Sequence, residues 1–135
     1  FSFQIGSGSC SGCPSCGVTM NSFNGVNAYS NGYDQCTGDS CAGQGYWGLQ
    51  YQCVELVQRY YETYFPVAYA SQMCYDYPNG FYIVSNPQPG DVYVSGSGTY
   101  GHTAIVTSNN GNGYVNVIEQ NASCGGANTY SIGGA

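Results

Sequence analysis

The sequence predicts an α+β fold: one amphipathic helix, then an antiparallel meander. Three observations carry this. The first part of the chain is rich in glycine, serine and cysteine and has neither a helical nor a strand period. One helical stretch follows near the middle. After it come short runs rich in β-branched residues, separated by proline, asparagine and glycine. At 135 residues the chain fits one domain.

Residues 1–44 read as an irregular, disulfide-rich arm packed on the same domain, ahead of a core at 45–135. "GSGSCSGCPSCG" and "DQCTGDSCAGQG" are turn-rich loops. From Trp47 to Tyr64 the pattern turns helical. Val54, Val57, Tyr61 and Tyr64 fall on one face, with Glu55, Gln58, Arg59 and Glu62 largely opposite. Gly45 and Gly48 precede this helix and Pro66 follows it. "VAYASQMCY" holds a weaker helical turn. "GFYIV", "DVYV", "HTAIVTS", "YVNVIEQN" and "TYSI" read as strands, and "NNGNG" supplies the turn of a central hairpin.

Eight cysteines in a chain this short point to an extracellular protein stapled by disulfides, since a reducing cytosol disfavours stable bridges. Cys36 and Cys41 are close enough in sequence to bridge, although spacing does not fix connectivity. Cys10, Cys13 and Cys16 have CxxCxxC spacing. In this compartment they read as bridges, not as zinc ligands. Arg59 is the only cationic residue besides His102, there is no lysine, and net charge is −6. Nucleic acid and anionic membranes select basic patches, so neither is an expected partner. No apolar run reaches the roughly 18 residues of a membrane span, and no signal-peptide pattern is visible. Fifteen tyrosines and twenty-one glycines suit a surface that binds polymers by hydrogen bonds and stacking, and equally a polar surface that avoids charge.

Pairing Thr107 with Tyr114 in the central hairpin sets Val106 opposite Val115, Ala104 opposite Val117, and His102 opposite Glu119. Asn121 then shares the face of Glu119, because strand side chains alternate. This puts the single histidine across from a carboxylate. A carboxylate accepting from one imidazole nitrogen fixes the tautomer and leaves the other nitrogen to act as base. Cys53 is what it would act on. A cysteine in the first turn of a helix sits at the positive end of the dipole, which favours a thiolate nucleophile for acyl transfer from amides. Backbone N–H groups at the helix start would bind the oxyanion.

"YQCVELVQRYY", "NPQPGDVYV", "YGHTAIV" and "VIEQN" occur in that order. Each resembles a block of the CHAP domain, the cysteine, histidine-dependent amidohydrolase/peptidase, over about residues 45–123. The resemblance implies a papain-like fold with the nucleophile at the N-terminus of a helix packed on an antiparallel sheet. It also implies cleavage of amide bonds in bacterial peptidoglycan, with Cys53 as nucleophile, His102 as general base and acid, Glu119 as its orienter and Asn121 as an accompanying amide. No cofactor is implied. Some phage members carry an acidic calcium loop, but Gln44 and Tyr46 stand at those places here, so no metal is expected. The cysteine-rich arm departs from the bacterial pattern.

Gln52 is a candidate for shaping the oxyanion site, and Trp47 and Tyr100 for walls of a substrate groove. The expected protein is a secreted monomer. Rival readings remain. Cys53 would be one more bridge in a catalytically inactive wall-binding module, or the composition would serve a structural coat or matrix protein. "NAS" at Asn121 is also a glycosylation sequon. If Cys53 is free, one further cysteine lacks a partner within the chain.

Overall fold

The computed structural model describes residues 12–33, 40–41 and 43–132. Two antiparallel strands, β1 (Thr19–Phe23) and β2 (Val26–Tyr29), form a hairpin inside the stretch that composition reads as irregular. Asn24 and Gly25 link them, with φ of 51° and 78°. Two successive positive φ angles are what a two-residue hairpin loop demands, and Asn-Gly supplies them. A second, minimal hairpin joins β3 (Gln44–Gly45) to β4 (Gly48–Leu49). The helix therefore starts later than the apolar period suggests. α1 spans Cys53–Tyr61, and Trp47 belongs to the turn before it.

Both sides of α1 are covered. Leu56 and Val57 are fully buried, and so, nearly, are Glu55 and Gln58 on the side expected to face water. These polar residues are hydrogen-bonded within the protein, as buried polar groups must be. Gln58 Nε2 donates to the Trp47 carbonyl at 2.7 Å, and its Oε1 accepts from the Phe65 N–H at 2.8 Å. Glu55 accepts from Arg59 Nε at 2.8 Å and from Gln120 Nε2 at 2.9 Å. The weaker helical turn is a 3-10 helix, Ala70–Cys74. "GFYIV" is not a strand: residues 81–84 run irregularly beside it.

The remaining strands, β5 (Val92–Ser95), β6 (His102–Asn109), β7 (Tyr114–Ile118) and β8 (Ala127–Ser131), form one antiparallel sheet in that order. Its inner face gives Ile105 and Ile118 to a core with Leu56, Val57, Phe65, Met73 and Ala28 of β2, so the N-terminal hairpin packs into the same core as the helix. The other face buries Ala104, Val106, Val115 and Val117 beneath Tyr93, Tyr130 and Ile132. Tyr93 of β5 and Tyr130 of β8 stack with centroids 4.9 Å apart and planes 5° apart. The two outermost strands thus meet over that face, and the sheet is curled.

The central register differs from the expected one by two residues. Val106 lies opposite Val117, not Val115. β6 runs on to Asn109, which closes the hairpin opposite Val115, and an irregularity between Val106 and Ser108 absorbs one residue. Up to Val106 the slip of two leaves side chains on their intended face; beyond the irregularity the facing changes. Of the expected disulfide partners, Cys41 pairs with Cys16, not Cys36, and Cys13 pairs with Cys124. The partnerships of Cys10 and Cys36 lie outside the described residues. Cys53 and Cys74 are free thiols, and Cys74 is the odd cysteine that an unbridged Cys53 requires.

Candidate active site

Gln52 caps α1 in an extended conformation without a side-chain cap, so Cys53 is the first helical residue. First-turn N–H groups have no partner within a helix. Cys53 is buried, with 9% of its surface exposed, and lies near enough to the His102 ring to favour its charged form. His102 opens β6. The residue before it is held in place by close approach: Gly101 has φ +73°, and a Cβ there would lie 2.6 Å from the Ser71 side chain. Only glycine delivers the chain into β6 along this path.

His102 Nε2 lies 2.9 Å from Glu119 Oε1. That leaves Nδ1 for the Cys53 sulfur. Because of the register, Glu119 approaches His102 diagonally rather than from directly opposite, on the same face. Glu119 is fully buried and follows the last residue of β7. Its Oε1 also accepts the Tyr130 hydroxyl at 2.6 Å, and its Oε2 accepts from Asn128 Nδ2 at 3.3 Å.

Burial opposes charge on each member of the pair, and the partners outweigh it. For His102, desolvation works downward, but the nearby Cys53 and then the Glu119 carboxylate push the imidazole up to about 9. For Glu119, desolvation works upward, but the bonds from His102 and Tyr130 hold the carboxyl below its ordinary range. Burial first, and Glu119 second, hold Tyr130 protonated well above the usual phenol range. The arrangement is an imidazolium between a sulfur and an ionised carboxylate.

A cleft of about 360 Å3 opens beside the ring, lined by Tyr93, Ser95, Gly101, His102, Asn121 and Tyr130 among others. A larger groove of about 610 Å3 adjoins it and shares Tyr93 and Ser95 as walls.

A family model of the CHAP domain matches residues 26–121, most of the chain. The chain belongs to the CHAP domain family. The match takes in Cys53, His102, Glu119 and Asn121, and it begins within the β1–β2 hairpin region that the sequence pattern assigned to an arm. Activity of the peptidoglycan hydrolase or amidase type goes with CHAP domains in general. Among curated proteins none matches the sequence.

The other residues singled out on this CHAP chain are placed differently. Asn121 is not on a strand: β7 ends at Ile118, and Asn121 has φ 60°. Its Nδ2 donates to Gln52 Oε1 at 2.6 Å and its Oδ1 accepts from Asn31. It lines the cleft beside His102, while these bonds tie it to the residue before Cys53. Gln52 takes part through that bond. Trp47 packs instead against Tyr46 and Tyr64, at 4.8 and 4.9 Å, and does not line the cleft. Tyr100 is 66% exposed, edge-on to Tyr69, and is likewise not among the cleft walls.

Three residues of the site escaped sequence reasoning. Tyr130 and Asn128 surround Glu119 from β8, and their alternation with Thr129 was the available signal. Gln120 is fully buried. It donates to the Gln52 carbonyl and to Glu55, and accepts from Arg59, each at 2.9 Å. An isolated glutamine beside an expected strand end carries no pattern of that kind.

Proposed function

We propose that the chain is a secreted, monomeric cysteine hydrolase that cleaves amide bonds in bacterial peptidoglycan, as an N-acetylmuramoyl-L-alanine amidase or an endopeptidase of the stem peptide or cross-bridge. The observation that carries this reading is a free, buried Cys53 beside an imidazole whose Nε2 is held by Glu119. The Cys53 thiolate attacks the amide carbonyl. N–H groups at the start of α1 receive the oxyanion. His102 gives its Nδ1 proton to the leaving nitrogen as the C–N bond breaks, which leaves an acyl-thioester. The neutral ring then takes a proton from water, whose oxygen attacks the acyl carbon. The C–S bond breaks, a carboxylate leaves, and the thiolate–imidazolium pair returns. No cofactor enters these steps.

A polymeric substrate is supported by the 610 Å3 groove that shares the walls Tyr93 and Ser95 with the cleft. Arg59, the single Lys or Arg of the chain, is engaged with Glu55 and Gln120, so charge is not what draws an anionic wall. The test is release of soluble fragments from purified peptidoglycan, with the new termini typed by mass spectrometry. Cys53→Ala is expected to abolish release. No release by the native chain from any of several wall types would instead favour a binding module.

A further inference from the structure

We infer that Tyr130 is a positioning residue of this site: its hydroxyl, seated by the stack on Tyr93, fixes the Glu119 carboxylate against His102. The inference rests on the catalytic reading of Cys53, His102 and Glu119. Glu119 Oε1 takes two donors, His102 Nε2 at 2.9 Å and the Tyr130 hydroxyl at 2.6 Å. With Asn128 on Oε2, no oxygen of this fully buried carboxylate is without a donor. A buried carboxylate free to rotate would present either oxygen to the imidazole, and Tyr130 removes that freedom. The phenol itself cannot swing away. Its ring lies flat on Tyr93 at 4.9 Å and edge-on to His102 at 5.9 Å. The hydroxyl is therefore set by β5 and β8 together, the two strands whose meeting closes the curled sheet.

The groups around the pair can be named from each packed element. β6 supplies His102, α1 supplies Cys53, β8 supplies Tyr130 and Asn128, and β5 supplies Tyr93 through the stack. Glu55 and Arg59 of α1 are engaged with the next residue, Gln120. Tyr130 thus favours the charged carboxylate without itself becoming charged, on the same oxygen that His102 uses.

Tyr130→Phe keeps the ring, and with it the stack, and deletes only the donor. It is expected to lower turnover about tenfold with the half-saturating wall concentration unchanged. The acid limb of the pH–rate profile should move up by about one unit, because a hydrogen bond to a charged group is worth about one pKa unit or more. A merely structural role would not move that limb. A second readout needs no substrate: the rate of Cys53 alkylation by iodoacetamide against pH, followed at the Cys53 peptide by mass spectrometry in a Cys74→Ser background, which removes the other free thiol among the described residues. Its acid limb should move the same way. In a Glu119→Gln background, Tyr130→Phe should change turnover less than about twofold, since the carboxylate it serves is gone.

An acid limb that stays put in both profiles overturns the inference, as does a rise in half-saturation with no shift, which would make Tyr130 a substrate contact. The underlying reading fails separately, by full activity of Cys53→Ala.

Discussion

At the scale of single residues, the site is a set of unfavourable burials that cancel. Neither the His102 ring nor the Glu119 carboxylate would stay charged alone at this depth, and each does so because of the other and of Cys53 or Tyr130. The sign of the linkage follows. His102 is raised from 6.5 to about 9, so its stabilising contribution is complete below about 6.5 and is lost as pH rises through 9. Glu119 is lowered, so its contribution is complete above the ordinary value of 4.5 and is lost as pH falls below it. Activity should accordingly hold level across neutral pH and fall on the alkaline side with a midpoint near 9, where His102 can no longer protonate the leaving nitrogen. Flat activity beyond that pH would exclude His102 as the acid. Glu119→Gln should cost about 100-fold in turnover and bring the alkaline midpoint down toward 6.5, read from the same profile. Cys53, His102 and Glu119 were legible because each is chemically singular in its context: one cysteine heading a helical pattern, one histidine, one carboxylate in an apolar strand. Tyr130 was not legible, being one of fifteen tyrosines whose role depends on how far the sheet curls.

At the scale of elements, the proposed mechanism requires the helix and the strand hairpin to be held at fixed offset, since Cys53 rides on one and His102 on the other. Gln120 and Arg59 do this. Arg59 donates to Glu55 and to Gln120 and lies 4.8 Å over the Tyr29 ring, while Gln120 accepts from the Tyr29 N–H and donates to the Gln52 carbonyl just ahead of Cys53. β2, α1 and the turn after β7 therefore share one buried polar knot. Arg59→Met should destabilise the fold by about 3 kcal/mol in urea unfolding, because it strands the Glu55 carboxylate, only 4% exposed, without its cation. A loss under about 1 kcal/mol, the size of a surface pair, would show the knot to be dispensable. The same knot explains why the helix was misread at its polar face. The period put Glu55, Gln58 and Arg59 in water, but Gln120, the turn at Trp47 and Gly48, and Tyr29 of β2 cover that side. The β1–β2 hairpin's own signal, Asn24-Gly25 between Phe23 and Val26, stood in the sequence. It was obscured by the glycine, serine and cysteine composition around it, and composition says nothing of a two-residue turn. The two-residue slip in the β6–β7 register was harder to see, since from His102 to Val106 it keeps side chains on the same face and so leaves the hydrophobic pattern there unchanged.

At the scale of the whole molecule, the N-terminal segment and the site loop form one mechanical unit. Cys13 is joined to Cys124, 111 residues away in sequence, and Cys124 lies in the stretch between Glu119 and β8. Asn31, held among the same N-terminal residues and 5% exposed, bonds Asn121 in that stretch. Cys16–Cys41 closes the segment on itself. The long bridge removes somewhat more freedom from the unfolded chain than the short one, since the entropy of loop closure grows with the logarithm of the residues enclosed. Cys13→Ser with Cys124→Ser should therefore cost about 4 kcal/mol of stability, on the scale expected for a loop of roughly 100 residues. Cys16→Ser with Cys41→Ser, enclosing a separation of 25, should cost about 1 kcal/mol less. Thermal unfolding of the two variants beside the native chain gives the ranking. Turnover divides the effects further. In conditions where both variants remain folded, loss of the long bridge should lower activity more than loss of the short one, because it also frees the stretch carrying Asn121, a wall of the cleft beside His102. Equal activity in the two folded variants would mean that the hydrogen bonds from Asn31, His102 and Tyr130 hold that stretch without the bridge.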